Sequence, residues 1–377
     1  MQSKMLQHLL SEVWKSPVFG DSFDASSLQK SDAVVRQMKA ILDTFSKEVS
    51  RHISEGMPEL NEQEIYEIVR QMAAKTVGFC PALSGGEIND VSGLSKLAVL
   101  IAMTGWGNQT TDRGDLAMPL AIMLLCNKKV SIPRELADLV QARLAGLRHI
   151  EHKVRELALP EDQAFLFRAS RDELMFNEAR IHALSMQYTQ AKDKSAFLSN
   201  NAAELAKIMT ITAALPSATT PLYAVYRRHY PELPTLREVY AEPIMIDLLQ
   251  VCNTLIRVLD DLGDRQIDAG EEPKWGGFSL NLFNQPHPSL LQAFFKQAHV
   301  RDPSQVRLLL QTFAQAHTDK KQADIVSNLF LDHVRQYIAG LPLPIQNRYS
   351  KYIQLCKRAL EAGYVNQVGD MALGDSA

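Results

Sequence analysis

The amino-acid sequence predicts an all-α protein. Apolar residues recur with the 3.6-residue period of a helix along most of the chain, and no convincing series of strands is visible. Proline and glycine separate the periodic segments, and the breaks are expected at Pro133, Pro160, Pro216 and Pro221 and at the later prolines. These observations together favour an array of helices.

Ten segments carry the helical period. They are Glu64–Lys75, Leu94–Met103, Leu116–Leu125, Arg134–Leu157, Asp162–Lys192, Ala196–Leu215, Pro243–Asp268, Ser304–His317, Gln322–Ala339 and Ile345–Ala362. No repeat and no low-complexity linker divides the chain. We therefore expect an N-terminal helical extension over residues 1–55 and one α-domain over residues 56–377.

Length and charge limit the class of protein. The chain has 377 residues, enough to bury a core that encloses a ligand. Its formal net charge is −3 and it contains no long basic run, which argues against a nucleic-acid partner. The longest apolar stretches are shorter than the roughly 20 residues that span a bilayer, so stable membrane insertion is not expected.

The cysteines are few and far apart. Cys80, Cys126, Cys252 and Cys356 form no CxxC pair and have no paired histidine spacing. This pattern argues against a zinc site and against a disulfide framework. Reduced thiols and a cytoplasmic location are the simplest interpretation.

An acidic run follows the apolar stretch Ile244–Leu259. On a helix, Asp260, Asp264 and Asp268 share one face through i, i+4, i+8 spacing, and Asp261 lies one position round from it. An acidic run can be a solvated helix face, but the apolar stretch before this one favours a built site. Oxygen ligands without histidine or thiolate suit Mg²⁺, which completes its shell with water and phosphate. The implied ligand is a diphosphate held through metal.

A second polar patch, Thr104–Asp115, lies between two apolar helical stretches. Glycine, asparagine and threonine are also the residues of an ordinary turn, so this patch alone decides nothing. Two acid-bearing patches in an all-α domain are the arrangement expected when facing helices present metal ligands to a central cavity.

With both patches considered, the chain resembles the class I isoprenoid (terpenoid) synthase superfamily, and its bacterial terpene cyclases in particular. Residues 260–268 follow the second metal motif of that family, (N/D)D(L/I/V)x(S/T/D)xxx(E/D). The resemblance implies a helical bundle enclosing a central active-site cavity, Mg²⁺ as cofactor, and Asp260, Asp264 and Asp268 as metal ligands. Asp261 would support them from behind.

The resemblance extends to further positions. Asn108 and Asp112 stand where the family has its first DDxxD motif, and Asp115 is available from the next turn. Arg348 and Tyr349 match an Arg-Tyr pair that grips diphosphate in bacterial cyclases, and Lys274 matches a lysine that prenyltransferases place after the second motif. The basic residue common before the ninth motif position is Ile267 here, and Arg265 or Arg257 is available to compensate.

The activity implied by this resemblance is a Mg²⁺-dependent terpene synthase, a lyase that ionises farnesyl or geranylgeranyl diphosphate and releases diphosphate. Two alternatives stay open. One is a trans-prenyltransferase that elongates a polyprenyl chain, and the other is a non-catalytic helical protein that binds a prenyl diphosphate. A homodimer is one assembly open to such a domain.

Overall fold

Every regular element of the described part of the chain is a helix. The computed structural model describes Lys47, Asp90, Gly93 and Leu97 and residues 116–167, 176–212, 215–263, 278–284, 287–316 and 320–361. Within these residues no strand occurs. The all-α class predicted from periodicity is confirmed for them.

The helices are numbered here in chain order. They are α1 (Ala117–Leu125), α2 (Ala137–Val154), α3 (Gln163–Phe167), α4 (Phe176–Gln190), α5 (Lys194–Thr212), α6 (Leu215–His229), α7 (Leu236–Ala241), α8 (Pro243–Gly263), α9 (Pro288–Gln297), α10 (Pro303–Ala316), α11 (Lys320–Ala339), α12 (Leu343–Arg348) and α13 (residues 350–361). Short 3₁₀ turns, Arg134–Leu136 and Arg155–Leu157, flank α2.

The described residues group into two compact units. One contains those up to Ala179 together with Pro216–Val239 and Lys351–Ala359. The other contains Arg180–Leu215, Tyr240–Ser350 and the described residues from Leu360 onward. The boundary expected between residues 55 and 56 lies outside the described residues and stays a prediction.

Several predicted helices are found within a residue or two of their expected bounds. These are the segments that became α1, α2 with its flanking turns, α10 and α11. The segment expected over residues 162–192 contains α3 and α4, with residues 168–175 between them outside the described part. The expected helix Glu64–Lys75 lies outside it entirely, and so does Leu94–Met103 except for Leu97.

The sequence prediction was wrong about Pro216 and Pro221, because both lie inside α6. Pro216 occupies the first turn, where a helix needs no backbone N–H. Pro221 removes an internal hydrogen bond at a cost of about 3 kcal/mol. The five residues that follow it, 222–226, are 0% exposed, and burying one large apolar side chain stabilises by about 1.5–3 kcal/mol. Packing therefore outweighs the proline.

No helix was predicted at α6, and two further helices, α7 and α9, were also missed. Pro288 was taken as a turn residue, but it begins α9, where its fixed φ suits the first helical position. Helix α7 is only six residues long, so it shows almost no periodicity. It begins with a capping box, in which the Glu238 carboxylate accepts the Thr235 N–H at 2.7 Å and the Thr235 hydroxyl accepts the Glu238 N–H at 3.1 Å.

A buried ion pair ties the first unit together. Asp162 is 0% exposed, and its carboxylate accepts the Leu236 N–H at 2.7 Å and an Arg227 guanidinium N–H at 3.0 Å. Burial raises the pKa of the Asp162 carboxyl, while the Leu236 N–H and Arg227 act in the opposite direction. One side chain thereby joins the start of α3 to α6 and to the start of α7.

Helix α8 is central to the second unit. It packs against α5, α9 and α11, and α10 packs against both α9 and α11. Apolar residues recur along α8 with helical spacing, and those from Met245 to Leu259 form its buried face. Beside it lies an aromatic cluster with ring centroids 5.2 to 6.4 Å apart, made of Phe283, Phe294, Phe295, Phe313 and Phe330.

Among the helices described, each is too short or too polar to cross a bilayer. Among the described residues, Cys126, Cys252 and Cys356 form no disulfide, and burial raises the pKa of the Cys356 thiol to about 12.

Candidate metal centre on helix α8

The candidate site begins where α8 changes from apolar to charged. Arg257, Asp260 and Asp261 occupy the last turns of the helix that the structure describes. Residues three and four apart on a helix are neighbours, so Arg257 lies beside both carboxylates. The three side chains differ greatly in exposure: Arg257 is 14% exposed, Asp260 is 52% exposed and Asp261 is 1% exposed.

Asp261 points into the protein, and protein groups engage it. Its Oδ2 accepts the backbone N–H of Leu282 at 2.8 Å, and its Oδ1 forms an ion pair with the Arg257 guanidinium. Its backbone carbonyl accepts the Asn281 side-chain amide at 2.6 Å. A buried carboxylate needs such partners, because an unpaired charge in the interior is costly. Asp261 is therefore a structural anchor at this position.

Asn281 completes the anchor from the other side. It is 2% exposed, and its side-chain oxygen accepts the backbone N–H of Phe283 at 2.9 Å and of Asn284 at 3.2 Å. This asparagine turn folds residues 281–284 tightly and directs Phe283 into the aromatic cluster. We call Asp261, Asn281 and Leu282 the clasp.

The clasp joins two points that are distant in sequence. The chain leaves it after Asp261 and returns at Asn281. Four predicted site residues lie between these points in the sequence and outside the described part of the structure: Asp264, Arg265, Asp268 and Lys274. Their roles stay predictions.

Asp260 contrasts with its neighbour. Half of its side chain is exposed, and the Arg257 Nη1 lies 4.0 Å from its Oδ2. At that distance and exposure an ion pair contributes little, so solvent reaches the carboxylate. An exposed carboxylate oxygen fits Mg²⁺, which keeps several waters when it binds a protein. Asp260 meets that requirement, whereas both carboxylate oxygens of Asp261 already have protein partners.

The Arg-Tyr pair lies at the end of α12. The predicted helix over residues 345–362 is interrupted here, because Tyr349 has φ −106° and ψ 18° and separates α12 from α13. Tyr349 is 4% exposed, while Arg348 is exposed and its guanidinium carbon lies 5.7 Å from the centre of the Tyr349 ring. The tyrosine packs inside and leaves the arginine at the surface.

The structure brings together only part of the predicted site. Asp260 and Asp261 are neighbours, and Arg257 lies between them. Asn108, Asp112 and Asp115 lie outside the described residues. Among the residues that are described, no three histidine, cysteine, aspartate or glutamate side chains are grouped closely enough to hold a metal ion.

Sequence reasoning missed Asn281. Nothing in the local sequence relates Asn281 to Asp261, since the contact depends on how the chain returns to α8. The role of Arg257 had a visible signal, because it stands three and four positions before the two aspartates.

Comparison with known proteins gives no further guide. No protein-family profile, no curated protein and no solved structure matches this chain.

Proposed function

We propose that the chain is a Mg²⁺-dependent terpene synthase that ionises farnesyl or geranylgeranyl diphosphate and releases diphosphate. The observation that carries the proposal is the difference in exposure between two adjacent aspartates on helix α8, whose apolar face is buried. Asp261 is anchored inside by the clasp, and Asp260 is presented to solvent. Asp261 fixes the end of α8, so the exposed Asp260 carboxylate beside it has a defined position.

The proposed ligand set follows the helical spacing. If the helical spacing of α8 continues, Asp264 and Asp268 lie on the face that carries Asp260, and Asn108, Asp112 and Asp115 supply the opposing patch. Bound Mg²⁺ would offset the negative charge that grows on the diphosphate as its carbon–oxygen bond ionises.

Other residues of the chain have distinct roles in this proposal. Arg348, Arg265 and Lys274 would donate hydrogen bonds to diphosphate oxygens, and Tyr349 would hold Arg348 in place. Arg348 is exposed beside the buried Tyr349 ring, and this arrangement supports a diphosphate contact for Arg348 and a positioning role for Tyr349.

The wider proposal covers the whole domain. Residues 56–377 would form an isoprenoid synthase-like bundle around a central cavity, preceded by the extension over residues 1–55. The described helices support the all-α class. A cytoplasmic location and a homodimer belong to the same proposal.

The test compares two exposed aspartates that each pair with an arginine three residues away. Asp260→Asn removes the proposed ligand, and Asp332→Asn is the matched control, because Asp332 is 62% exposed and lies 3.1 Å from Arg335. Diphosphate release from farnesyl and geranylgeranyl diphosphate is measured with Mg²⁺ and with EDTA. We expect Asp260→Asn to lower the rate at least about 100-fold, the size of effect seen when one key electrostatic group is lost. The control should match the wild type.

The same assay separates the alternatives. Product formation that needs isopentenyl diphosphate as a second substrate would identify a prenyltransferase. No release from either substrate, together with a melting temperature raised by Mg²⁺ and diphosphate, would identify a non-catalytic binding protein. An equal rate for Asp260→Asn and the wild type would refute Asp260 as a metal ligand.

A further inference from the structure

Two histidines hold the C-terminal end of α9 in the second unit. The Nε2–H of His333, on α11, donates to the Ala298 carbonyl at 2.7 Å. His299 is the next residue, and its Nε2 lies 3.2 Å from the Gln250 Oε1 and 3.6 Å from an Asp247 carboxylate oxygen, both on α8. One histidine therefore joins this end of α9 to α11, and the other joins it to α8.

The backbone at His299 has a conformation that favours glycine. Its φ is 57°, in the left-handed region, where a side chain is unfavourable. The residue ends α9 in a Schellman motif, in which the His299 N–H donates to the Lys296 carbonyl at 3.1 Å and the Val300 N–H donates to the Phe295 carbonyl at 3.0 Å. The His299 ring also lies edge-on to the Tyr337 ring of α11, with centres 6.0 Å apart. A strained residue that side-chain contacts hold in place is released when those contacts weaken.

The charges at this end of α9 balance only while the two histidines are neutral. Four further titratable groups face it: Asp247 and Cys252 of α8, Arg301, and Tyr337 of α11. At neutral pH the Arg301 guanidinium is matched by the Asp247 carboxylate. Protonation of both histidines would set three positive groups against that carboxylate, so acid makes the contacts here repulsive.

The other charged side chains close in sequence to these residues are solvated or paired elsewhere. Lys296 of α9 is exposed. Asp302 accepts the Ser304 N–H at 2.9 Å and caps α10, whose only charged residue, Arg307, donates to a carbonyl of its own helix. On α11, the exposed Asp332 and Arg335 pair with each other at 3.1 Å. Asp247 is therefore the carboxylate that faces the two histidines.

The surroundings of His333 oppose its protonation. Burial lowers the pKa of the His333 ring below 6.5, the bond to the Ala298 carbonyl acts in the opposite direction, and a charge on His299 adds to the lowering. A ring released to water regains its ordinary affinity for the proton. Below pH 6.5 proton uptake therefore favours the released state, whereas above it the ring is neutral in both states and the bond to Ala298 holds.

We propose that His299 and His333 form a pH-sensitive latch, which releases residues 298–301 from α8 and α11 in acid while the rest of the second unit stays folded. The opening is local, because Phe294 and Phe295, one turn earlier on α9, are 0% and 1% exposed and belong to the aromatic cluster. Release also frees His299 from its left-handed backbone. The latch is independent of the proposed metal centre, since none of its residues belongs to that centre.

Hydrogen exchange followed by mass spectrometry on the full chain tests the latch. Exchange is measured at about pH 7.5 and about pH 5.5, with labelling times scaled for the change in the intrinsic rate. In the wild type we expect residues 298–301 to lose between about threefold and tenfold of their protection at the lower pH, because one proton taken up about one pH unit below 6.5 favours the open state by up to about tenfold. Protection of α8 should change by less than about twofold.

Two variants separate the latch from a general effect of acid. His333→Gln keeps an N–H donor for the Ala298 carbonyl but cannot take up the proton, so its protection over residues 298–301 should change by less than about twofold between the two pH values. His287→Gln is the matched control, because His287 lies at the opposite end of α9, with its Nε2 3.4 Å from the Ser195 hydroxyl. This control should keep the wild-type response.

Three results would overturn the latch: no response to pH in the wild type, an equal loss of protection throughout the second unit, or a wild-type response in His333→Gln. If His333→Gln does not fold, exchange at the Cε1 position of the histidine rings gives the titration of His333 in the wild type. Opening of residues 298–301 over the pH range in which His333 titrates would then support the latch, and opening over a different range would contradict it.

Discussion

Asp261→Asn tests whether the clasp stabilises the second unit. The substitution keeps an oxygen that can accept the Leu282 N–H, but it removes the charge that faces Arg257. A hydrogen bond to a charged group contributes about 1.5–3 kcal/mol, and breaking a buried ion pair costs about 3–5 kcal/mol. Because Arg257 is 14% exposed, water recovers part of that cost, and we expect a loss of about 2–4 kcal/mol.

Asp260→Asn is the matched control on the same helix. Its side chain is 52% exposed and lies 4.0 Å from Arg257, so its removal should change stability by no more than about 0.5 kcal/mol. Asp261→Asn is thus expected to lower the free energy of unfolding far more than Asp260→Asn, although the two positions are adjacent on α8. Chemistry and sequence context are nearly the same for both substitutions.

Two measurements check this expectation. Urea unfolding followed by circular dichroism gives the change in stability, and a loss of about 2–4 kcal/mol moves the midpoint by about 0.7–4 M at typical slopes of about 1–3 kcal/mol per molar. Hydrogen exchange over residues 278–284 reports on the clasp itself, because the Leu282 amide is protected by Asp261. Equal stability of the two variants, or unchanged exchange at Leu282 in Asp261→Asn, would refute the assigned anchor.

Three further predictions concern other parts of the protein. Burial lowers the pKa of His333 below its usual value of 6.5, with a smaller contribution from His299, so the folded state binds its proton less readily than the unfolded state. Stability should therefore be full above pH 6.5 and fall as the pH drops below it, and His333→Gln should reduce that fall in denaturation curves between pH 7.5 and pH 5. Asp162→Ala should destabilise the first unit by about 2–4 kcal/mol, because the buried Arg227 loses one of its two carboxylate partners and the Leu236 N–H loses its acceptor; a loss below about 1 kcal/mol in urea would contradict the ion pair. In native protein treated with maleimide, mass spectrometry should find Cys126 labelled and Cys356 unlabelled, since burial raises the pKa of the Cys356 thiol to about 12; labelling of Cys356 at the rate of Cys126 would contradict its burial.

Long amphipathic helices were predictable from sequence, because their burial follows a repeating pattern. Helices α10 and α11 keep the apolar period over many turns and appear close to their expected bounds. Proline positions were misjudged where tertiary packing intervened. Pro221 looks like a break in isolation, and only the burial of residues 222–226 keeps it inside α6. Helix α7 was missed, although the capping pair Thr235 and Glu238 marks its start.

The candidate site was also predictable from the sequence only in part. Its chemistry was visible in the acidic run, and the position of Asp261 one step round the helix from Asp260 follows from helical geometry. The partner residue Asn281 was not visible, because no local rule connects it to α8.

The sequence alone determined that this protein is mostly helical and that one apolar helix ends in an acidic run, because periodicity and composition are local properties of the chain. Only the tertiary structure decided which of two adjacent aspartates faces inward and which distant asparagine holds the returning chain. The physical reason is that a helix sets the angle between neighbouring side chains, whereas burial depends on what the rest of the chain packs against each face.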